Sequence, residues 1–224
     1  MHYYENKGIH NFKRALTDRE LHDFFTIMES ERDYLFFMLQ LIMGCRIEEV
    51  TKIQLNDIDF QNCRIALTPN KQRGVRARRY NIDIPPEICE RLAIYCHNEQ
   101  PHIEYADNYI FPGRTRKRTH ISPEAMRDCF NQYRNRLGLH KQHSVDKDGK
   151  KRPYVRPHTL RATSINRVLR ETNGNVLLAM QHSRHQSLNG FLPYLEAYKD
   201  ELLKAVKHRA FKGLMVERPL TIEP

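Results

Sequence analysis

Four groups of residues have types and spacings suited to chemistry on an anion. Arg46 follows Gly44-Cys45 and opens Ile47-Glu48-Glu49-Val50. The run Lys71 to Arg79 places five basic residues (Lys71, Arg73, Arg76, Arg78, Arg79) in nine positions around Gly74. His158-Thr159-Leu160-Arg161 follows Pro157 and sets a histidine and an arginine three apart, on one face of a helix. His185 stands 24 residues after Arg161, and Tyr194 nine residues after His185. Guanidinium forks match phosphate oxygens in pairs, a basic β-hairpin lays cations along a nucleic-acid backbone, and a tyrosine hydroxyl belongs to the nucleophile class.

Each group also has a plain structural reading. Arg46 can be a surface arginine paired with Glu48 or Glu49. The basic run can be a solvated face, His158 a helix-cap histidine beside Arg161, and Tyr194 a core aromatic among Leu188, Phe191 and Leu192. A zinc site built from His158, His182 and His185 lacks a cysteine or acidic partner at ligand spacing, and no metal or cofactor is expected.

The elements that must position these residues follow from local patterns. Thr17 with Glu20 forms a capping box for a helix whose apolar face is Leu21, Phe24, Phe25 and Met28. A second helix, about 32–44, is apolar almost all round and should be central, with Gly44 breaking it. A short third helix follows Arg46, with Ile47, Val50 and Ile53 on one face. Ile58 to Phe60, Cys63 to Thr68 and Val75 to Ile84 read as a small antiparallel sheet. Pro85-Pro86 ends the sheet and starts a helix to about His97. Tyr109 to Pro112 is a short extended piece, and Ser122-Pro123-Glu124 caps a helix to about Leu137. Residues 138–156 read as a long charged loop, followed by helices at about 157–171, 175–182, 187–197 and 199–210. The fold class is therefore mainly α with a small antiparallel β-sheet, an α+β domain at 16–213 between a lead-in of 1–15 and a tail of 214–224.

Composition narrows the function classes. The chain has 224 residues, 40% hydrophobic and 29% charged, with only 9 Gly and 11 Pro, so collagen and wholesale disorder are excluded. Lys plus Arg is 37 against 27 acidic residues, a net charge of +10, which suits a polyanionic partner. Further cations sit at Arg114, Arg116, Lys117 and Arg118, and at Lys150, Lys151 and Arg152. No apolar run reaches the roughly 18–20 residues that span a bilayer, and no secretory signal opens the chain. Five cysteines without a Cys-x-x-Cys pair fit reduced thiols in a cytoplasmic protein.

Taken together and in order, the motifs resemble the tyrosine recombinase (phage integrase) family over roughly residues 16–200. That family places an arginine after a glycine, a lysine in a β-hairpin, H-x-x-R, then a histidine followed nine residues on by its nucleophile. Glu49, three after the first arginine, and Leu55-Asn56-Asp57-Ile58 fit the same pattern. The resemblance implies the catalytic-domain fold and a DNA strand cleavage and ligation enzyme. In it Tyr194 attacks a scissile phosphate, Arg46 and Arg161 hold the non-bridging oxygens, His158 serves as base, Lys71 as general acid, and His185 supports the phosphate or the tyrosine. It also implies a double-stranded DNA partner, a prokaryotic, DNA-associated setting, and self-association from dimer to tetramer through 199–210. Arg73, Arg76, Arg78, Arg79, Arg114, Arg116, Lys117, Arg118, Lys150, Lys151 and Arg152 are then the candidate DNA contacts. A non-catalytic DNA-binding module and a type IB topoisomerase are the competing readings. Most of the family carries a core-binding domain ahead of the catalytic one, so the short lead-in points either to a fragment or to a single-domain recombinase.

Overall fold

A computed structural model describes residues 14–69, 79–113, 118–141, 143–145, 149 and 151–195. Helix α1 (Asp18–Thr26) starts on the expected capping box: Glu20 N–H donates to Thr17 Oγ1 at 3.2 Å, and Thr17 N–H donates back to Glu20 Oε2 at 3.0 Å. Its buried face is Leu21 and Phe24.

Helix α2 (Glu31–Ile42) is the centre of the domain. Leu35, Phe36, Phe37 and Leu39 are fully buried on successive faces, as an all-round apolar helix requires. Phe24, Phe37, Phe130 and Tyr133 form an aromatic cluster on one side of it, and Phe36 meets Phe111 on another. Gly44 ends the helix with φ +57°, a conformation that only glycine adopts without strain. The short helix α3 (Ile47–Val50) follows at once.

The sheet is antiparallel in the order β1 (Ile58–Asp59), β2 (Arg64–Leu67), β3 (Tyr80–Asp83), with Ile65 opposite both Ile58 and Ile82. Alternation puts Ile65 and Leu67 in the core, while Arg64 faces outward to pair with Asp83 at 2.6 Å. The described part of the last strand begins at Tyr80; the basic run from Lys71 to Arg78 lies outside the described residues. Helix α4 (Pro86–Asn98) begins on Pro86, and α6 (Pro123–Arg136) on a Ser122 Oγ that accepts from Ala125 N–H at 3.1 Å.

Two elements differ from the sequence expectation. Helix α5 (Gln100–Tyr105) is six residues long and buries only Ile103, too little for a periodic signal. Within 138–156, read as a loop, β4 (His143–Val145) pairs antiparallel with β5 (Lys151–Pro153). Each strand has three residues, and Lys151 and Arg152 are exposed, so no apolar alternation marked the hairpin.

Three helices end the described residues: α7 (Thr159–Glu171), α8 (Val176–Ser183) and α9 (Leu188–Leu195), the last of these with Pro193 inside it. They share a second, smaller core of Ala162, Ile165, Leu169, Ala179, Phe191 and Tyr194. Helix α7 packs on α2, and Gln40 Nε2 reaches across to donate to Pro157 O at 3.1 Å, just before His158. The expected helix at 199–210 lies outside the described residues.

Unfolding in urea checks the weights of these features. Phe24→Ala should remove about 3–5 kcal/mol of stability, because it empties the centre of the aromatic cluster. Thr17→Ala should remove only about 1 kcal/mol, the usual loss for an N-cap.

Candidate active site

Five of the six candidate catalytic residues meet in one place, brought there by four segments. Arg46 precedes α3, His158 and Arg161 open α7, His185 sits on the α8–α9 corner, and Tyr194 lies on α9. Lys71 lies outside the described residues.

Glu49 organises the arginines. Its side chain has no exposure, and it is the N3 residue of α3, so one oxygen takes the Arg46 backbone N–H at 2.9 Å. The other oxygen takes Arg46 Nη1, also at 2.9 Å. Arg161 Nη1 lies 3.9 Å and Arg184 Nη2 4.0 Å from the same Glu49 Oε2. The surface-arginine reading of Arg46 was thus half right: it does pair with Glu49, but with 26% side-chain exposure beside a buried carboxylate. Three guanidiniums around one carboxylate leave a surplus of positive charge, which suits an anion.

Arg161 has no exposed surface. Nη1 donates to Gly44 O at 2.7 Å and Nη2 to Ser183 O at 2.6 Å. Burial pulls its pKa down and the neighbouring Arg46 adds to this, while Tyr194 and Glu49 act in the opposite direction. Arginine starts so high that it stays charged.

Tyr194 is 2% exposed, and its hydroxyl is 2.6 Å from His158 Nε2. Burial raises the phenol pKa, and the Arg161 and Arg46 charges work against that rise. The ring of Tyr194 packs on Phe191, as a core aromatic does, while its hydroxyl faces the histidine.

His185 is fixed from both sides. Ser183 Oγ donates its one hydrogen to Ala179 O at 2.7 Å, so it accepts from His185 Nδ1–H at 2.6 Å. That tautomer, assigned from the bonding, turns the lone pair of Nε2 toward Arg161 Nη2 at 3.4 Å. His182 points elsewhere: its Nε2 bonds Ser164 Oγ at 2.7 Å. A Cβ on Gly44 would come within 2.9 Å of that ring, so Gly44 is required by space as well as by φ. The three imidazoles considered for zinc each have a different hydrogen-bond partner: Tyr194, Ser164 and Ser183.

The sequence reading missed the supporting shell. Helix α7 buries Thr159, Thr163, Ser164 and Asn166 beside Arg161, and Thr163 both accepts from Leu16 N–H and donates to Thr159 O, each at 2.9 Å. A run of small polar residues in Thr159 to Asn166 was the available signal, because a buried helix face this polar needs partners. Arg184 carried no signal, being one of many arginines.

Among the candidate DNA contacts, Arg79 is held by Asp57, and Arg118 lies over the Tyr105 ring at 5.5 Å from its centroid. Lys151 and Arg152 are exposed on β5. Arg73, Arg76, Arg78, Arg114, Arg116, Lys117 and Lys150 lie outside the described residues. No helix among the described residues is long and apolar enough to cross a membrane.

A profile of the phage integrase family matches residues 14–200. The chain belongs to that family. It is 24% identical over 206 residues to the tyrosine recombinase XerA of Thermococcus onnurineus, covering 90% of this chain and 65% of the relative. A tyrosine recombinase of Pseudothermotoga lettingae is 22% identical over 188 residues, covering 83% of this chain and 57% of that one. The chain thus spans less than two thirds of either relative. Among solved structures, XerA recombinase superposes with a TM-score of 0.65 at 19% identity, over 88% of this chain and 66% of that one. XerH recombinase in a post-cleavage complex with palindromic difH substrate gives a TM-score of 0.67 at 17% identity, over 91% and 55%. The mainly helical fold with a small antiparallel sheet is that of these recombinase structures.

His182 makes stability pH-dependent. Burial, and then the Arg184 and Arg161 charges, lower its pKa from 6.5 to about 4. The unfolded chain therefore binds this proton more readily, and the contribution is complete above the unfolded value and lost as pH falls toward the folded one. Unfolding free energy should drop by about 2 kcal/mol from this group between neutral pH and pH ~4.5. In His182→Gln that part of the slope should vanish, as read by urea titration at both pH values.

Proposed function

We propose that this chain is the catalytic domain of a site-specific DNA recombinase that cuts and rejoins strands through a 3′-phosphotyrosine. The observation that carries the proposal is the Tyr194 hydroxyl, 2.6 Å from His158 Nε2 and beside the Arg161 guanidinium. A buried phenol bonded to a base and lying in the field of two guanidiniums is suited to attack on an anion.

The steps balance with the residues named. Tyr194 Oη attacks the scissile phosphorus and gives its proton to His158 Nε2. Arg46 and Arg161 donate to the non-bridging oxygens as charge gathers there, and supply the electrostatic stabilisation that a metal gives in other phosphoryl-transfer sites. The bond from phosphorus to the 5′-oxygen breaks, and Lys71 gives that oxygen a proton. The phosphodiester energy is kept in the phosphotyrosine, so the 5′-hydroxyl of another strand can reverse the sequence without an external energy source. His185, whose Nε2 faces Arg161, supports the same phosphate. The substrate is double-stranded DNA, held along its backbone by the basic groups named above, and strand exchange would bring two to four copies together through 199–210.

Two experiments test this chemistry. Tyr194→Phe should still bind a nicked target duplex but form no covalent adduct on a denaturing gel, whereas Tyr198→Phe should keep the adduct. An adduct surviving in the first variant and lost in the second would move the nucleophile to Tyr198.

Lys71→Ala should slow cleavage of ordinary DNA by about 10²–10⁴-fold. A 5′-bridging sulfur, whose leaving group needs no proton, should restore the rate. Loss without that rescue would remove Lys71 from proton transfer.

A further inference from the structure

Arg184 occupies a backbone conformation that arginine seldom adopts. It ends α8 with φ +56° and ψ +37°, in the left-handed region, where the Cβ of any residue but glycine crowds the following carbonyl. Its side chain is only 3% exposed, and its Nε has no hydrogen-bond partner. Strain and burial of a cation both oppose this arrangement, so its contacts must offset them.

Those contacts join two corners of the site. Nη1 donates to His182 O at 2.9 Å, three residues before His185. Nη2 donates to Met43 O at 2.9 Å and to Cys45 Sγ at 3.3 Å, just before Arg46. The same nitrogen lies 4.0 Å from Glu49 Oε2, the oxygen that Arg161 approaches to 3.9 Å. Burial pushes the Cys45 thiol up to about 12, so it stays neutral and does not compete with Glu49 for the cations.

We infer that Arg184 is a positioning residue for strand cleavage: its guanidinium ties the Arg46 corner to the His185 corner and shares Glu49 with Arg161. This rests on the recombinase reading of the site. Without the tie, Glu49 is left to Arg46 and Arg161, and the α8–α9 corner loses its bonds to the end of α2. His185 and Tyr194, which follow that corner, then drift relative to Arg46. A misplacement near 1 Å is enough to slow a reaction by about 10²-fold.

Arg184→Gly tests this, because glycine accepts the left-handed backbone and the fold keeps its turn. Single-turnover adduct formation on a nicked duplex should fall by about 10²-fold, with DNA affinity and melting temperature little changed. Millimolar guanidinium should recover part of the rate, and Arg184→Lys, which keeps the charge without the fork, should fall between the two. A wild-type rate in Arg184→Gly overturns the inference, as does a joint fall of rate, affinity and melting temperature without guanidinium rescue. A second readout needs no catalysis. In the free protein, NMR of Arg184→Gly should show the His185 ring signals displaced and the His182 pKa raised from about 4, since Arg184 faces His182 together with Arg161, Ser164 and the Gly44 backbone. Unmoved His185 signals overturn the tie. Absence of an adduct in the wild type would instead overturn the recombinase reading, and the His185 signals would then decide the tie alone.

Discussion

A guanidinium with no exposure to water is the constraint on which the rest of this domain depends. Removing Arg161 from solvent costs several kcal/mol unless its donors and charge are matched. The matching groups are Gly44 O, Ser183 O and the Glu49 carboxylate, and they come from two separate corners of the chain, 44–49 and 183–185. Each corner must therefore be made to close tolerance. Gly44 is left-handed to turn its carbonyl inward, Ser183 is clamped to Ala179 O, and Glu49 is fixed as the N3 residue that bonds back to the Arg46 N–H. The polar face of α7 and the reach of Gln40 to Pro157 O hold the helix that carries Arg161.

The same arrangement lets single residues hold the fold and still present polar groups at one place. Arg46 caps a helix and still leaves part of its side chain exposed beside Glu49. Tyr194 fills the smaller core and presents its hydroxyl to His158. Three guanidiniums share one carboxylate, so the cluster carries a surplus of positive charge that would favour an anion. Under the proposed chemistry that anion is the scissile phosphate, and its binding would stabilise the fold as well as begin the reaction.

Much of this was legible in the sequence because it rests on local rules. The Thr17–Glu20 box, the all-round apolar α2, the Gly44 break, the Pro86 start and the Ser122 cap all act within a few residues. The order Arg46, His158, Arg161, His185 and Tyr194 was legible as a pattern, and the fold brings these five together. What was not legible depends on tertiary partners. Hairpin β4–β5 has no apolar alternation, and α5 buries one side chain. Arg184 sits where backbone preference would suggest glycine, so neither its conformation nor its bonds to Met43 O and Glu49 follow from its neighbours. Ser164 and Ser183 became meaningful only once His182 and His185 were found against them.

Pro193 lends α9 a property of its own. It stands inside an eight-residue helix, one residue before Tyr194. Having no N–H, it cannot bond the carbonyl of Asn189 four residues back, so the backbone ladder is interrupted where the helix is already short. Phe191 and Tyr194, both buried, are left to anchor α9 through their rings. The segment that presents the hydroxyl is thus moored by side chains more than by its backbone, and the free energy of lifting it from the domain is set largely by how firmly those two rings stay seated.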